Sequence, residues 1–292
     1  MRPIALLGLG VMGAGMAGCL LRAGFPLTVY NRTAAKAAPF DERGAALAAT
    51  PREAAVGADI VISMVGDDDA SRAVWLGPDG ALAGAGAGSV LVECSTLSLD
   101  WVRELAGLAA ERGLPLLDAP VTGSREAAAA GELRLLVGGE AAALERARPA
   151  LEAVSQRIVH LGPSGSGALM KLVNNLMGAV QIAALAEGLL LAERGGLHMA
   201  EVVPLIINGA PGSPIVKGKA ARIAARDYSD TQFALRWMHK DTTYALRAAD
   251  AFGVPMPTLA AAREVYRLAR NRGLDDADFA AVAEALRPAT AS

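Results

Sequence analysis

The chain has 292 residues, 28 Lys and Arg against 30 Asp and Glu, and a formal net charge of −2. That length can supply two domains with cores of their own, and the mixed charge excludes a basic footprint for nucleic acid or an anionic membrane surface. Hydrophobic residues make up 53% and aromatics only 4%, so the apolar mass is mainly Ala, Leu and Val, suited to closely packed helices and buried parallel strands.

The opening run MRPIALLGLG passes into a glycine motif without a cleavage site, and reads as a strand rather than a secretory leader. PIALLG, PLTVY, DIVISMV, SVLVE, LPLLDAP, LRLLVGG and finally QRIVHLG predict strands. They are uniformly apolar rather than alternating, which predicts a parallel sheet covered on both faces. Helical stretches such as MGAGMAGCLLRAG and DWVRELAGLAAERG separate them. The acidic run Asp67–Asp69 predicts a loop end and helix cap rather than a metal site, since carboxylates favour helix N-termini.

The turn cluster PSGSG at 163–167 changes the pattern, and no strand is predicted from Ala168 onward. Helices are predicted over Ala168–Glu193, Met199–Asn208, a short piece near Pro214–Ala220, Thr231–Phe252, Pro257–Asn271 and Asp278–Leu286, with a frayed tail PATAS. The expected fold is α/β: a Rossmann-type doubly wound sheet over residues 1–163, then an all-helical domain over 164–292 that opens with a long interdomain helix. The stretch after Asn175 is the one membrane-spanning candidate, but it carries Gln181 and Glu187 and is short before AERGG, so a buried helix is expected. Cys19 and Cys94 fit neither a disulfide framework nor a zinc spacing, and His160, His198 and His239 form no cluster. Buried thiols in a reducing cytoplasm, and no metal, are the expectation.

Gly8-x-Gly10-x-x-Gly13 stands directly after a predicted strand and before a predicted helix, with a second strand at the right distance. Gly8 allows a tight turn, Gly10 lets backbone approach a diphosphate, and Gly13 lets helix and strand pack closely. Val11 and Met12 lie between them at the helix N-terminus, where free N–H groups and the dipole favour an anion. The end of the second strand decides the cofactor. An NAD site usually has Asp or Glu there, whereas this chain has Asn31, Arg32 and Thr33. Arg32 can pair with a 2′-phosphate while Asn31 and Thr33 donate to it, so NADPH is expected over NADH.

Four blocks, GLGVMGAGMA, DAPVTGSREAAAAGELRLLVGG, GALMKLVNNLM and HKDTTYALRAADAFGVPMPT, resemble the β-hydroxyacid dehydrogenase family across essentially the whole chain. That family includes 3-hydroxyisobutyrate dehydrogenases, tartronate semialdehyde reductases and glyoxylate/succinic semialdehyde reductases, with 6-phosphogluconate dehydrogenase and imine reductases as relatives. The resemblance implies that Lys171 is the catalytic acid/base. Asn175, one turn on along the same helix face, orients it or binds substrate. An ammonium there stabilises negative charge building on a carbonyl oxygen and supplies the proton, and partial desolvation suits the lysine to that task.

The resemblance also implies that Thr122, Gly123 and Ser124, in DAPVTGS, bind a substrate carboxylate through backbone N–H groups and a hydroxyl. Ser124 in place of a second glycine is closest to the glyoxylate/succinic semialdehyde reductase branch. Arg125 is either a positive charge beside that pocket or a solvent-facing loop residue. By the same resemblance Thr96 and Lys240 contact the cofactor, Val65 lies on the nicotinamide side, and Phe233 and Asp241 border the substrate; Asp241 can equally pair with Lys240 or a nearby arginine.

The expected function is NADPH-dependent reduction of a small aldehyde or keto acid, with succinic semialdehyde and glyoxylate foremost. A 3-hydroxyisobutyrate or tartronate semialdehyde enzyme is the nearest alternative; an imine reductase or a non-catalytic NADPH-binding module is the other. The partner is a small carboxylate-bearing molecule, with no nucleic acid or membrane, in a cytoplasmic homodimer or homotetramer.

Overall fold

The structure, a computed structural model, describes residues 1–287; the tail PATAS lies outside them. The chain divides into two compact units, Met1–Lys171 and the residues from Leu172 onward. In the first, β1 (Ile4–Leu7), α1 (Val11–Arg22), β2 (Leu27–Tyr30), α2 (Ala38–Asp41), β3 (Ala46–Leu47), α3 (Pro51–Ala55), β4 (Ile60–Ser63), α4 (Asp68–Trp75) and α5 (Ala81–Gly84) come first. Then follow β5 (Val90–Glu93), α6 (Leu99–Ala110), β6 (Leu116–Asp118), β7 (Val121–Thr122), α7 (Arg125–Ala130), β8 (Leu133–Gly138), α8 (Ala141–Glu152) and β9 (Ser155–Gly162).

The strand order is β3-β2-β1-β4-β5-β6-β8-β7, with β9 on β8. Every residue of β1, β4 and β5 is buried, as expected of central parallel strands with helices on both faces. Ile4, Leu6, Ile62 and Val92 from the strands share one core with Met16 and Leu20 from α1.

The sheet is not parallel throughout. β1 to β6 pair in parallel, but β8 runs antiparallel to β6 and β7 before β9 joins it in parallel. The reversal is local: α7 is only six residues long, and Gly131 ends it in the left-handed conformation. So short a link returns the chain next to the strand it left, which an antiparallel pair permits.

The second unit is helical. The helix α9 (Ser166–Arg194) supplies the end of the first unit and the start of the second, followed by α10 (Met199–Asn208), α11 (Pro214–Ala225), α12 (Leu235–Phe252), α13 (Pro257–Asn271) and α14 (Val282–Leu286). By length and composition α9, 29 residues, is apolar enough to cross a membrane, so the expectation of too short a stretch does not hold. Its Ala179, Ile182, Ala186 and Leu189 are nevertheless buried in a core with Leu235, Tyr266 and Phe279.

Three predicted boundaries move. The piece near 214–220 continues to Ala225, where Arg226 takes a left-handed φ of 53° as C-cap. Residues 231–234 are not helical, because the fully buried Asp278 carboxylate accepts the N–H groups of Gln232 (3.1 Å) and Phe233 (3.4 Å), and Ala234 bridges to the same residue. Asp278 also caps a 3₁₀ turn at Phe279–Ala281, which splits the helix predicted over 278–286. Lys219 Nζ, 2.9 Å away and itself buried, supplies the countercharge that a buried carboxylate requires.

Candidate active site

The glycine turn between β1 and α1 shows three different uses of glycine. Gly8 has φ +101°, and a Cβ there would lie 2.3 Å from the Met64 carbonyl oxygen; at Gly13 it would lie 2.0 Å from that of Gly8. Both positions exclude a side chain because backbone runs against backbone. At Gly10 a Cβ would meet nothing within 4 Å. No side chain caps α1 there and no acidic residue occupies its first turn; Val11 beside it is 62% exposed. The first N–H groups of α1, including those of Val11 and Met12, therefore face an open cradle that suits a nucleotide diphosphate.

At the end of β2, Asn31 is committed within the protein. Its Oδ1 accepts the Leu9 N–H (2.8 Å) and its Nδ2 donates to the Thr33 carbonyl (2.9 Å). That braces the glycine turn against the next loop and leaves one amide hydrogen for a ligand. Arg32 and Thr33 are exposed. Val65 and Thr96 follow β4 and β5, each partly buried, and Ser95 Oγ accepts the Val65 N–H at 2.8 Å. Asp67 caps α4 through Ala70 N (2.9 Å), and Asp68 accepts Ser98 N (2.9 Å), so these two acids of the triplet serve backbone N–H groups.

Lys171 stands in the second turn of α9, half-buried. The start of that helix is held by Asp118, the last residue of β6 and fully buried. Asp118 Oδ1 accepts the Gly165 N–H (2.7 Å) and Oδ2 the Ala168 N–H (2.8 Å), so a carboxylate from a distant strand caps the lysine helix. Burial pushes the Asp118 carboxyl above the usual range, and the N–H groups around it pull it back down. Close approach is obligatory here: a Cβ on Gly167 would lie 2.1 Å from the Leu136 carbonyl oxygen, and one on Gly138 2.5 Å from Asp118 Oδ1.

After β6 the chain passes through Ala119 and Pro120 into β7, whose end opens the Thr122–Ser124 turn. Gly123 has φ +147°, and a Cβ on it would crowd Leu133 at 2.9 Å. Ser124 Oγ is used as the cap of α7, accepting Ala127 N at 3.2 Å. Its hydroxyl is thus part of the turn's own architecture, with its O–H still able to donate. Arg125 is exposed and pairs with Glu126 at 3.0 Å.

In the second unit Asn175, Asp241 and Lys240 come together. Asn175 Nδ2 donates to Asp241 Oδ2 (2.6 Å), Asn174 Nδ2 donates to Asn175 Oδ1 (3.0 Å), and Lys240 Nζ lies 3.0 Å from Asp241 Oδ1. Asn175 and Asp241 are both buried. The alternative of an Asp241–Lys240 pair is realised, and the same carboxylate fixes which way the Asn175 amide points. Phe233 is partly buried and meets Phe279 edge-on at 6.0 Å. Its N–H contact with Asp278 holds it in the segment before α12.

A family model for the NAD binding domain of 6-phosphogluconate dehydrogenase matches residues 3–162. One for the NAD-binding domain of NADP-dependent 3-hydroxyisobutyrate dehydrogenase matches residues 165–286. The chain belongs to the β-hydroxyacid dehydrogenase family. It is accordingly placed among NAD(P)-dependent oxidoreductases that act on hydroxy acids.

Among relatives in this β-hydroxyacid dehydrogenase family, an NAD-dependent L-serine dehydrogenase of Pseudomonas aeruginosa is 37% identical, over 99% of each chain. Glyoxylate/succinic semialdehyde reductase 2 of Arabidopsis thaliana is 35% identical, over 98% of this chain and 80% of that one. A solved structure of 3-hydroxyisobutyrate dehydrogenase from Mycobacterium tuberculosis with L-serine superposes with a TM-score of 0.89 at 33% identity, covering 99% and 100% of the two chains.

Sequence reasoning missed Asp118 as the cap of the lysine helix and Asp278 as the anchor of the Phe233 segment. The signal for the first was a carboxylate closing an apolar strand, a position where burial demands donors. His239, next to Lys240, also has a consequence. Burial and Arg270, whose Nη1 lies 3.2 Å from Nδ1, hold its pKa below the ordinary value, with Arg263 adding to this and Glu264 and Asp275 opposing it. Protonation therefore favours the unfolded chain, so this contribution to stability is full above the ordinary histidine range and is lost as pH falls through it. The melting temperature is expected to fall between about pH 7.5 and pH 5.5. In His239→Gln the fall should be shallower; identical slopes in the two proteins would refute the assignment.

Proposed function

We propose that this chain is an NADPH-dependent reductase of small aldehyde or keto acids, with succinic semialdehyde and glyoxylate as the leading substrates. The observation that carries the proposal is the shared use of β6. Its last residue caps the helix of Lys171, and the chain runs on from it through β7 to the Thr122–Ser124 turn, which supports a lysine proton donor and a carboxylate-binding turn braced from one stretch of chain.

When bound, the cofactor supplies the hydride that reaches the carbonyl carbon. The α1 N-terminus, with Gly8, Gly10, Val11, Met12 and Gly13, would hold its diphosphate. Arg32, Thr33 and the remaining amide hydrogen of Asn31 would hold a 2′-phosphate, and Val65, Thr96 and Lys240 would contact its nicotinamide half. The N–H groups about Gly123, with Thr122 and the Ser124-capped turn, would take the substrate carboxylate. Lys171 would donate the proton to the carbonyl oxygen, and its positive charge would stabilise the oxygen as it becomes an alkoxide. Asn175, Asp241 and Phe233 are assigned to orienting the substrate.

Arg32 and the lack of a carboxylate at the end of β2 support NADPH over NADH. Arg32→Glu is expected to lower kcat/KM with NADPH by about 10²-fold and to reverse the preference; an unchanged NADPH affinity would refute this choice. The relative named for NAD and L-serine supports a second reading, oxidation of a β-hydroxy acid such as 3-hydroxyisobutyrate, alongside the tartronate semialdehyde reaction. Ranking kcat/KM over succinic semialdehyde, glyoxylate, tartronate semialdehyde, 3-hydroxyisobutyrate and L-serine, with each cofactor, separates the two. The proposal requires the first two with NADPH to lead.

A cytoplasmic setting, supported by the two buried free cysteines, belongs to the same proposal, as does a homodimer or homotetramer. The apolar helix α10 packs Val202, Val203, Ile206 and Ile207 partly buried against the helical core, while Leu205 on its outer side and Leu191 on α9 are 74% and 76% exposed. Apolar surface of that kind marks an association face.

A further inference from the structure

Glu93 closes β5 and is 1% exposed, yet the site as assigned makes no use of it. Its Oε2 accepts Ser71 Oγ and Trp75 Nε1, both at 2.7 Å and both on α4; its Oε1 accepts the Ser95 N–H at 2.9 Å. Burying a carboxylate costs several kcal/mol unless its oxygens are bonded, and an apolar side chain would fill the volume more cheaply. Burial pushes the Glu93 carboxyl above the usual range, and these hydrogen bonds oppose that shift.

What the carboxylate holds is a pair of turns. The first follows β4, carries Val65 and leads into α4, which Glu93 grips through Ser71 and Trp75. The second follows β5, carries Thr96 and is gripped through Ser95. Two cross-links join the turns directly, Val65 N–H to Ser95 Oγ at 2.8 Å and Ser98 N–H to Asp68 Oδ1 at 2.9 Å. Ser95 is the relay, since its hydroxyl accepts from Val65 while its own backbone N–H donates to Glu93.

We propose that Glu93 is a positioning residue for the nicotinamide half of the cofactor, acting through Ser95 to fix the Val65 turn against the Thr96 turn. The inference rests on the assignment of Val65 and Thr96 to the nicotinamide side. It separates the two ends of the ligand: Glu93 governs how the ring is held, whereas the α1 N-terminus and Arg32 govern the diphosphate and 2′-phosphate.

Gln at position 93 keeps the shape but not the chemistry. Whichever way its amide turns, an NH2 group faces either Trp75 Nε1–H or Ser95 N–H, and neither of those donors can become an acceptor. Ser95→Ala removes only the relay to Val65 and leaves the carboxylate in place. The test is fluorescence titration of wild type, Glu93→Gln and Ser95→Ala with NADPH and with 2′-phospho-ADP-ribose, which lacks the nicotinamide ring; NADH and ADP-ribose run in parallel.

Glu93→Gln is expected to weaken NADPH about 10-fold and Ser95→Ala about 3-fold, the scale of one buried hydrogen bond lost or perturbed, with the ring-less fragment within about 2-fold of wild type in both. In turnover, kcat should fall while the KM of the aldehyde acid stays near that of wild type. Equal weakening of NADPH and fragment, or NADPH affinity unchanged in both variants, would overturn the proposal. If Glu93→Gln does not fold, Ser95→Ala decides by the same comparison. A wild type that binds no nucleotide of either pair would instead overturn the cofactor site itself, and is read before any variant.

Discussion

Lys171→Met is expected to lower kcat by about 10³-fold, within the range that a positioned general acid contributes, while NADPH still binds. Methionine keeps the length and helix propensity of lysine, so α9 forms as before and the loss is chemical. The carbonyl oxygen then gains charge with neither an ammonium to stabilise it nor a proton to receive. Lys171→Arg separates these two contributions, because arginine keeps the charge and cannot give up its proton at accessible pH. It should recover little activity. Binding of NADPH is followed by its fluorescence and turnover by its absorbance. Wild-type turnover in Lys171→Met would remove the lysine from the mechanism.

Asp118→Ala is expected to cost about 3 kcal/mol of stability, because two buried N–H groups lose their acceptor and each such loss costs about 1–3 kcal/mol. Those groups belong to Gly165 and Ala168 at the start of α9. Asp118→Asn retains one acceptor oxygen and should cost less. Since Lys171 stands in the next turn of the same helix, both variants should also lower kcat, and more than they raise KM for NADPH. Urea titration gives the stability and steady-state kinetics the rest. A stable Asp118→Ala protein with full activity would show that the cap does not set the lysine.

The fold was largely legible because its signals were local. Uniformly apolar runs marked β1, β4 and β5, three glycines marked the turn into α1, and PSGSG marked the change to helices. The misreadings share a cause in long-range partners. Residues 231–234 carry helical periodicity, yet a carboxylate more than forty positions away claims their N–H groups. Asp118 and Glu93 read as ends of strands because the donors that give them meaning lie on other elements. Asn31 was found by its place at the end of β2, but its commitment to Leu9 depends on a contact 22 positions back.

The most direct measurement compares wild-type kcat/KM for NADPH oxidation on succinic semialdehyde with that on butanal, which has the same carbon chain and aldehyde but no carboxylate. A turn built to bind the carboxylate while Lys171 protonates the carbonyl oxygen predicts a preference of about 10² or more for the acid, the scale at which a site's polar groups reject a ligand that leaves them unpaired. Equal turnover of the two aldehydes, or none of either with NADPH bound, would contradict it.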